Sequence, residues 1–109
     1  MAKKSKRLNI QWTETAEKQF FNILDYWNER NRSTAFANKL ADLVWNKTKF
    51  IAENPLASKP TKFPNTRIAA LGHFSIVYKL TEDKIWVLAF WDNRQDPKKL
   101  YQYLISQIE

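Results

Sequence analysis

The sequence predicts an α+β domain of order β-α-α-β-β-β-α, a mainly antiparallel four-stranded sheet with a helical hairpin and a C-terminal helix. Three observations point there. Two long stretches in the first half repeat their apolar residues every three or four positions, as amphipathic helices do. Three shorter runs in the second half are joined by tight turns, as in an antiparallel meander. A last amphipathic stretch follows Pro97, and 109 residues suffice for one core and not for two. Residues 1–109 are therefore read as a single domain, with 1–7 as a basic N-terminal tail.

Each element has its own local signal. Residues 8–12, LNIQW, put Leu8, Ile10 and Trp12 on one face of a strand. Thr13 then caps a helix whose apolar positions are Ala16, Phe20, Ile23, Leu24 and Trp27, with Glu14 and Glu17 where the helix dipole favours acid. Ser33 is the candidate cap of a second helix. Its expected apolar stripe is Phe36, Leu40, Leu43, Val44, Phe50 and Ile51, ended by Asn54 and Pro55. The short link makes the two helices an antiparallel hairpin. Residues 55–65, PLASKPTKFPN, carry three prolines and are expected to be irregular. Strands come next at 66–71, 73–80 and 84–91, with Gly72 supplying the first turn and TEDK the second. From Pro97, Leu100, Leu104 and Ile108 recur every four residues as the inner face of the closing helix. Packing the helices mainly on one face of the sheet leaves the other face, or part of it, open.

Composition excludes several classes. With no Cys and a single His, neither disulfides, a thiolate zinc site nor an imidazole-rich metal site is available. The longest apolar run, 85–91, has seven residues, against roughly 20 needed to span a bilayer. MAKKSKR also lacks the apolar segment of a signal peptide, so a cytoplasmic location without membrane contact is expected. The net charge of +7 favours a polyanionic partner: nucleic acid, ribosome or an acidic protein. The charge is clustered at Lys3, Lys4, Lys6 and Arg7, at Lys59 and Lys62 in the Pro-rich loop, and at Lys98 and Lys99 after Pro97.

The densest polar signal is WDNRQDP, residues 91–97, at the end of an apolar strand. Alternation in 73–80 puts Phe74, Ile76, Tyr78 and Leu80 inward and His73, Ser75, Val77 and Lys79 on the opposite face. Arg67 and Ala69 are expected to face the same way as His73 and Ser75. Asp92, Asn93 and Arg94 would complete a polar site at the sheet end. Asp92 or Asp96 is the expected partner of the Arg94 guanidinium, whether to fix the turn or to orient it for phosphate. Trp12, Trp27 and Phe36 are expected in the core, and Trp91, which ends a strand beside the polar knot, either under the last helix or as a surface for base stacking.

The element order, the hairpin RIAALGHFSIVY followed by IWVLAF, and above all WDNRQDP resemble the RelE/ParE superfamily of type II toxin-antitoxin toxins, including plasmid stabilisation proteins. The resemblance spans about residues 8–100. It implies a toxin neutralised by a cognate antitoxin and acting in one of two ways: ribosome-dependent mRNA cleavage, or poisoning of DNA gyrase in the ParE branch. For the cleaving branch it implies basic residues on the strand TRIAAL, a basic residue within the next strand and an Arg after the last. Arg67 and Arg94 match. Ser75 stands where the second basic residue is expected, and a hydroxyl cannot offset phosphate charge as a guanidinium does.

Attack by a 2′-hydroxyl needs a base, an acid and cations around the phosphorane, and in principle no metal or other cofactor. His73, Arg67, Arg94 and Tyr101 are the catalytic candidates, and Lys59, Lys62, Arg67, Arg94, Lys98 and Lys99 the nucleic-acid-binding ones. His73 and Ser75 do not make a serine hydrolase, being separated by about 7 Å along a strand with no oxyanion loop in view. The leading expectation is mRNA cleavage, a metal-independent endoribonuclease. The alternatives are a non-catalytic gyrase inhibitor and a plain basic RNA-binding module. The antitoxin is expected to lay an acidic amphipathic segment on the basic sheet face, or to displace the last helix.

Overall fold

The structure, a computed structural model, describes residues 8–108 except the side chain of Ile108, so the basic tail at 1–7 lies outside it. The elements are β1 (Asn9–Trp12), α1 (Glu14–Asn31), α2 (Ala35–Glu53), β2 (Lys59–Pro60), β3 (Thr66–Leu71), β4 (Phe74–Leu80), β5 (Lys84–Asp92) and α3 (Pro97–Ile108). They form a sheet of order β1-β5-β4-β3-β2, in which β1 runs parallel to β5 and every other pair is antiparallel.

The expected four strands become five because part of the Pro-rich loop pairs. Lys59 and Pro60 lie opposite Ile68 and Arg67. A proline lacking its N–H is tolerated at a sheet edge, where no neighbour asks for that donor. Thr61 then folds the loop back, its amide and hydroxyl both donating to the Thr66 carbonyl, at 3.0 and 2.9 Å.

Local chemistry sets the helix ends. The Thr13 hydroxyl accepts from the Ala16 amide at 3.1 Å, and Arg32 closes α1 in the left-handed region at φ 50°. For α2 Thr34 occupies the cap position, but the Ser33 hydroxyl does the accepting, from the Ala35 amide at 3.1 Å. Gly72, at φ 61°, makes the two-residue turn between Leu71 and Phe74.

Both faces of the sheet carry a packed cluster, and the face expected to be open is open only in part, as at the exposed Ala70. On one side Ala16, Leu40, Val44 and Ile51 from the helical hairpin pack on Ile76, Tyr78, Ile85, Val87 and Phe90. On the other, α3 lays Leu104, with Leu100 and Tyr103, over Val77, Leu88 and Ala89, and the Tyr103 hydroxyl donates to the Leu88 carbonyl at 2.7 Å. Trp86, rather than Trp91, is the tryptophan beneath α3. A bulge makes the two-sided arrangement possible. Tyr78 pairs with Val87 but Val77 with Ala89, so Leu88 is the extra residue and the alternation of β5 changes phase there. Ile85, Val87 and Phe90 can thus all face the hairpin.

The apolar stripe of α2 is narrower than expected. Leu40, Val44 and Ile51 are buried, whereas Phe36, Leu43 and Phe50 are 37–44% exposed. With 3.6 residues per turn, positions 36, 43 and 50 lie roughly 100° from the centre of the buried face. They form a half-exposed row along one flank of the helix.

Candidate functional site

The turn after β5 is built by its own side chains. Asp92 clamps Arg94: Nε donates to Oδ1 at 2.9 Å and Nη2 to Oδ2 at 2.7 Å, while the Arg94 amide also donates to Oδ1 at 2.9 Å. These hydrogen bonds hold the Asp92 carboxyl below its ordinary 3.8 and raise Arg94 above its usual value. Asn93 is fixed from the neighbouring strand, its amide donating to the His73 carbonyl at 2.8 Å and its Oδ1 accepting from the buried Ser75 hydroxyl at 2.9 Å. Ser75 is thus the anchor of the turn. The strand ends in Asp, Asn and Arg because each makes a bond that shapes the chain between β5 and α3. Asp96 continues the series by accepting from the Lys98 amide at the start of α3.

Clamped in this way, Arg94 leans over α1. Its guanidinium lies 5.7 Å from the centre of the Trp27 ring, and Arg30 approaches the same ring at 6.0 Å. These groups border a half-open cleft of about 690 Å³ between α1 and the end of β5. Gln19, Asn22 and Gln95 add amides to its wall and Tyr26 adds aromatic surface, while Trp91, opposite Ser75 in the β4–β5 register, borders it but is on the face away from α1. Gln19 is itself held, its Oε1 accepting from the Phe90 amide at 2.9 Å. The sequence points to the WDNRQDP part of this wall and not to the part that α1 supplies. Trp27 sits on the apolar stripe of α1, and Arg30 is one charge among many at the end of a helix.

The other candidates are dispersed. Arg67 lies opposite Tyr78 in the β3–β4 register, whereas Ser75 lies opposite Ala70. Cross-strand partners share a face, so Arg67 is on the helical-hairpin side with Tyr78, and the expected common surface of Arg67, His73 and Ser75 does not form. The Arg67 guanidinium instead donates to the Ser58 carbonyl at 2.6 Å and the Leu56 carbonyl at 3.1 Å, tying down the loop after α2. His73 is exposed in the β3–β4 turn, close enough to Asp92 to help lower its pKa. Tyr101 is 40% exposed on α3 beside Phe63, with the Lys62 ammonium 4.8 Å from its ring centre. Lys98 is close to the same tyrosine. Lys59 and Lys99 are exposed, one on the β2 edge and one in the first turn of α3. The candidates therefore separate into a clamped Arg94 near His73, a Lys62–Tyr101–Lys98 patch on the α3 side, and an Arg67 engaged in holding a loop.

The architecture is thus a helical hairpin on one face of a β1-β5-β4-β3-β2 sheet and a closing helix on the other. It superposes with a TM-score of 0.68 on a chain described as "Chromosomal ParDE TA system from P. aeruginosa", covering 79% of this chain and 96% of that one at 20% identity. The family model for the ParE toxin of the type II toxin-antitoxin system parDE matches residues 10–97, and the chain belongs to that family. A search of curated proteins finds no match.

Proposed function

We propose that this toxin acts by binding and inhibiting DNA gyrase rather than by cutting RNA, and that a cognate antitoxin protein neutralises it. Membership of the ParE family supports the gyrase target. The observation that carries the non-catalytic part is the fate of Arg67, whose guanidinium is engaged by the Ser58 and Leu56 carbonyls on the face opposite Ser75. A metal-free cleavage site needs cations and an acid-base pair within reach of one phosphate. Arg67, Arg94 and Tyr101 contact three separate parts of the surface instead. A second reading, contact with RNA on the ribosome, draws support from the Lys62–Tyr101–Lys98 patch, which sets cations around an exposed ring. The test pairs a supercoiling assay with purified gyrase against ribosome-dependent cleavage of a defined mRNA.

On the sheet face expected for the antitoxin α3 covers Val77, Leu88 and Ala89, so an antitoxin segment binding there would displace that helix. A second surface, which no described helix covers, is an apolar groove of about 480 Å³ between β1, α1 and α2. Phe21 and Trp45 border it at 56% and 66% exposure, and its charged lining is one Lys49 and one Glu17. An acidic amphipathic segment would cover the two rings and answer the net charge of +7.

A further inference from the structure

The Trp27 cleft contains an imbalance of charge. Two guanidiniums approach one indole, at 5.7 and 6.0 Å, but only Arg94 has a carboxylate. Among the described residues Arg30 forms no ion pair, and its Nη1 reaches only the Tyr26 hydroxyl at a long 3.5 Å. Both Asp92 oxygens are directed at Arg94, so the cleft keeps an unmatched positive charge. Arg94 still offers donors beyond those that Asp92 takes, since a guanidinium has five N–H groups and two are used there. Its side chain is 51% exposed, so these donors are open to solvent. The remaining wall is of another kind. Tyr26 offers an aromatic ring, and Asn22 and Gln95 offer amides that both donate and accept.

We propose that this cleft binds a nucleoside monophosphate, its phosphate held between Arg30 and Arg94 and its base against the Tyr26 side of the wall. Each half of the ligand answers one half of the site. A phosphate supplies the missing negative charge and accepts charge-assisted hydrogen bonds from both forks. A heteroaromatic base stacks on aromatic side chains and presents an edge that amide side chains can read. The volume, about 690 Å³, is in the range of pockets for ligands of that size. An aliphatic carboxylate would satisfy the arginines and leave the aromatic wall unused. The site is independent of gyrase inhibition, because it is measured on the toxin alone.

The experiment titrates the full chain with adenosine 5′-monophosphate, inorganic phosphate, adenosine and a glutamate-rich peptide, following the indole N–H of Trp27 and the side-chain N–H signals of Arg30 and Arg94 by NMR. The expected order of affinity is monophosphate, then inorganic phosphate, then adenosine, with the Trp27 and arginine signals moving together. Arg30→Gln, at an exposed helix position, should keep the fold and weaken the monophosphate about tenfold, as loss of one charge-assisted hydrogen bond requires. Asn22→Ala should weaken the monophosphate and leave inorganic phosphate unchanged. The proposal is overturned if adenosine binds as well as the monophosphate, if the Trp27 signal does not move, if only the peptide binds, or if Arg30→Gln has no effect.

Discussion

Replacing Arg67 by methionine distinguishes a structural arginine from a catalytic one. The substitution keeps the aliphatic stem and removes the guanidinium, and with it the bonds to the Ser58 carbonyl at 2.6 Å and the Leu56 carbonyl at 3.1 Å. A hydrogen bond to a charged donor contributes about 1.5–3 kcal/mol. The Leu56 bond is exposed and water can replace it, so the Ser58 bond accounts for most of the effect. A loss of about 2 kcal/mol is expected on that basis. With an unfolding entropy of roughly 2.1 cal/mol/K per residue, 109 residues convert this to a fall in Tm of about 9 °C. The loss should be felt first at the β2 edge, where Lys59 and Pro60 pair with Ile68 and Arg67. Differential scanning calorimetry gives the first number. Hydrogen exchange at the Thr61 amide, which donates to the Thr66 carbonyl at 3.0 Å, reports the second. Gyrase inhibition, measured below the new Tm, should survive. A Tm within about 2 °C of the parent, together with complete loss of inhibition, would refute the structural assignment.

The geometry sets four further outcomes. Tyr78→Phe removes the bond from a fully buried hydroxyl to the Pro55 carbonyl at 2.8 Å, and should cost about 1–3 kcal/mol in urea unfolding with the fold otherwise kept. Ser75→Arg forces a long cation into a position 8% exposed and breaks the bond to Asn93, so thermal unfolding should show destabilisation and the mRNA assay no gain of cleavage. Because the bonds from Arg94 depress the Asp92 pKa below 3.8, that carboxylate contributes stability in full above its unfolded value, and the contribution is lost as the pH falls through the folded one. The stability gap between the parent and Arg94→Gln should accordingly be present at pH 5 and close towards pH 2 in denaturant titrations. Trp45→Glu, on the apolar groove, should abolish rescue by the co-expressed antitoxin while leaving gyrase inhibition intact.

Much of the fold was legible because local signals agreed with one another. Thr13 followed by Glu14 and Glu17 marks a helix start, Gly72 marks a turn, and Pro97 opens α3. What escaped depended on contacts between distant segments. The bulge at Leu88 changes the phase of β5 and gives the sheet two buried faces, but nothing in the run IWVLAFW marks where the extra residue falls. Strand β2 exists because Thr61 folds its loop onto β3, a bond no periodicity announces. At the site, the pairing of Asp92 with Arg94 could be read because the two residues are near neighbours in the chain. The face of Arg67 could not. One residue of register decides it, and cross-strand register is set by the turn and by packing rather than by the strand's own alternation. Trp27 escaped because the periodicity of α1 counts it as core, and Arg30 because that periodicity marks only the inward stripe.

Inhibition by binding without cleavage is decided by adding purified toxin in parallel to a gyrase supercoiling reaction and to ribosomes programmed with a defined mRNA. Binding alone predicts dose-dependent loss of supercoiling, reversed by the antitoxin, with the mRNA intact. Ribosome-dependent cleavage of the mRNA with supercoiling unaffected would contradict it.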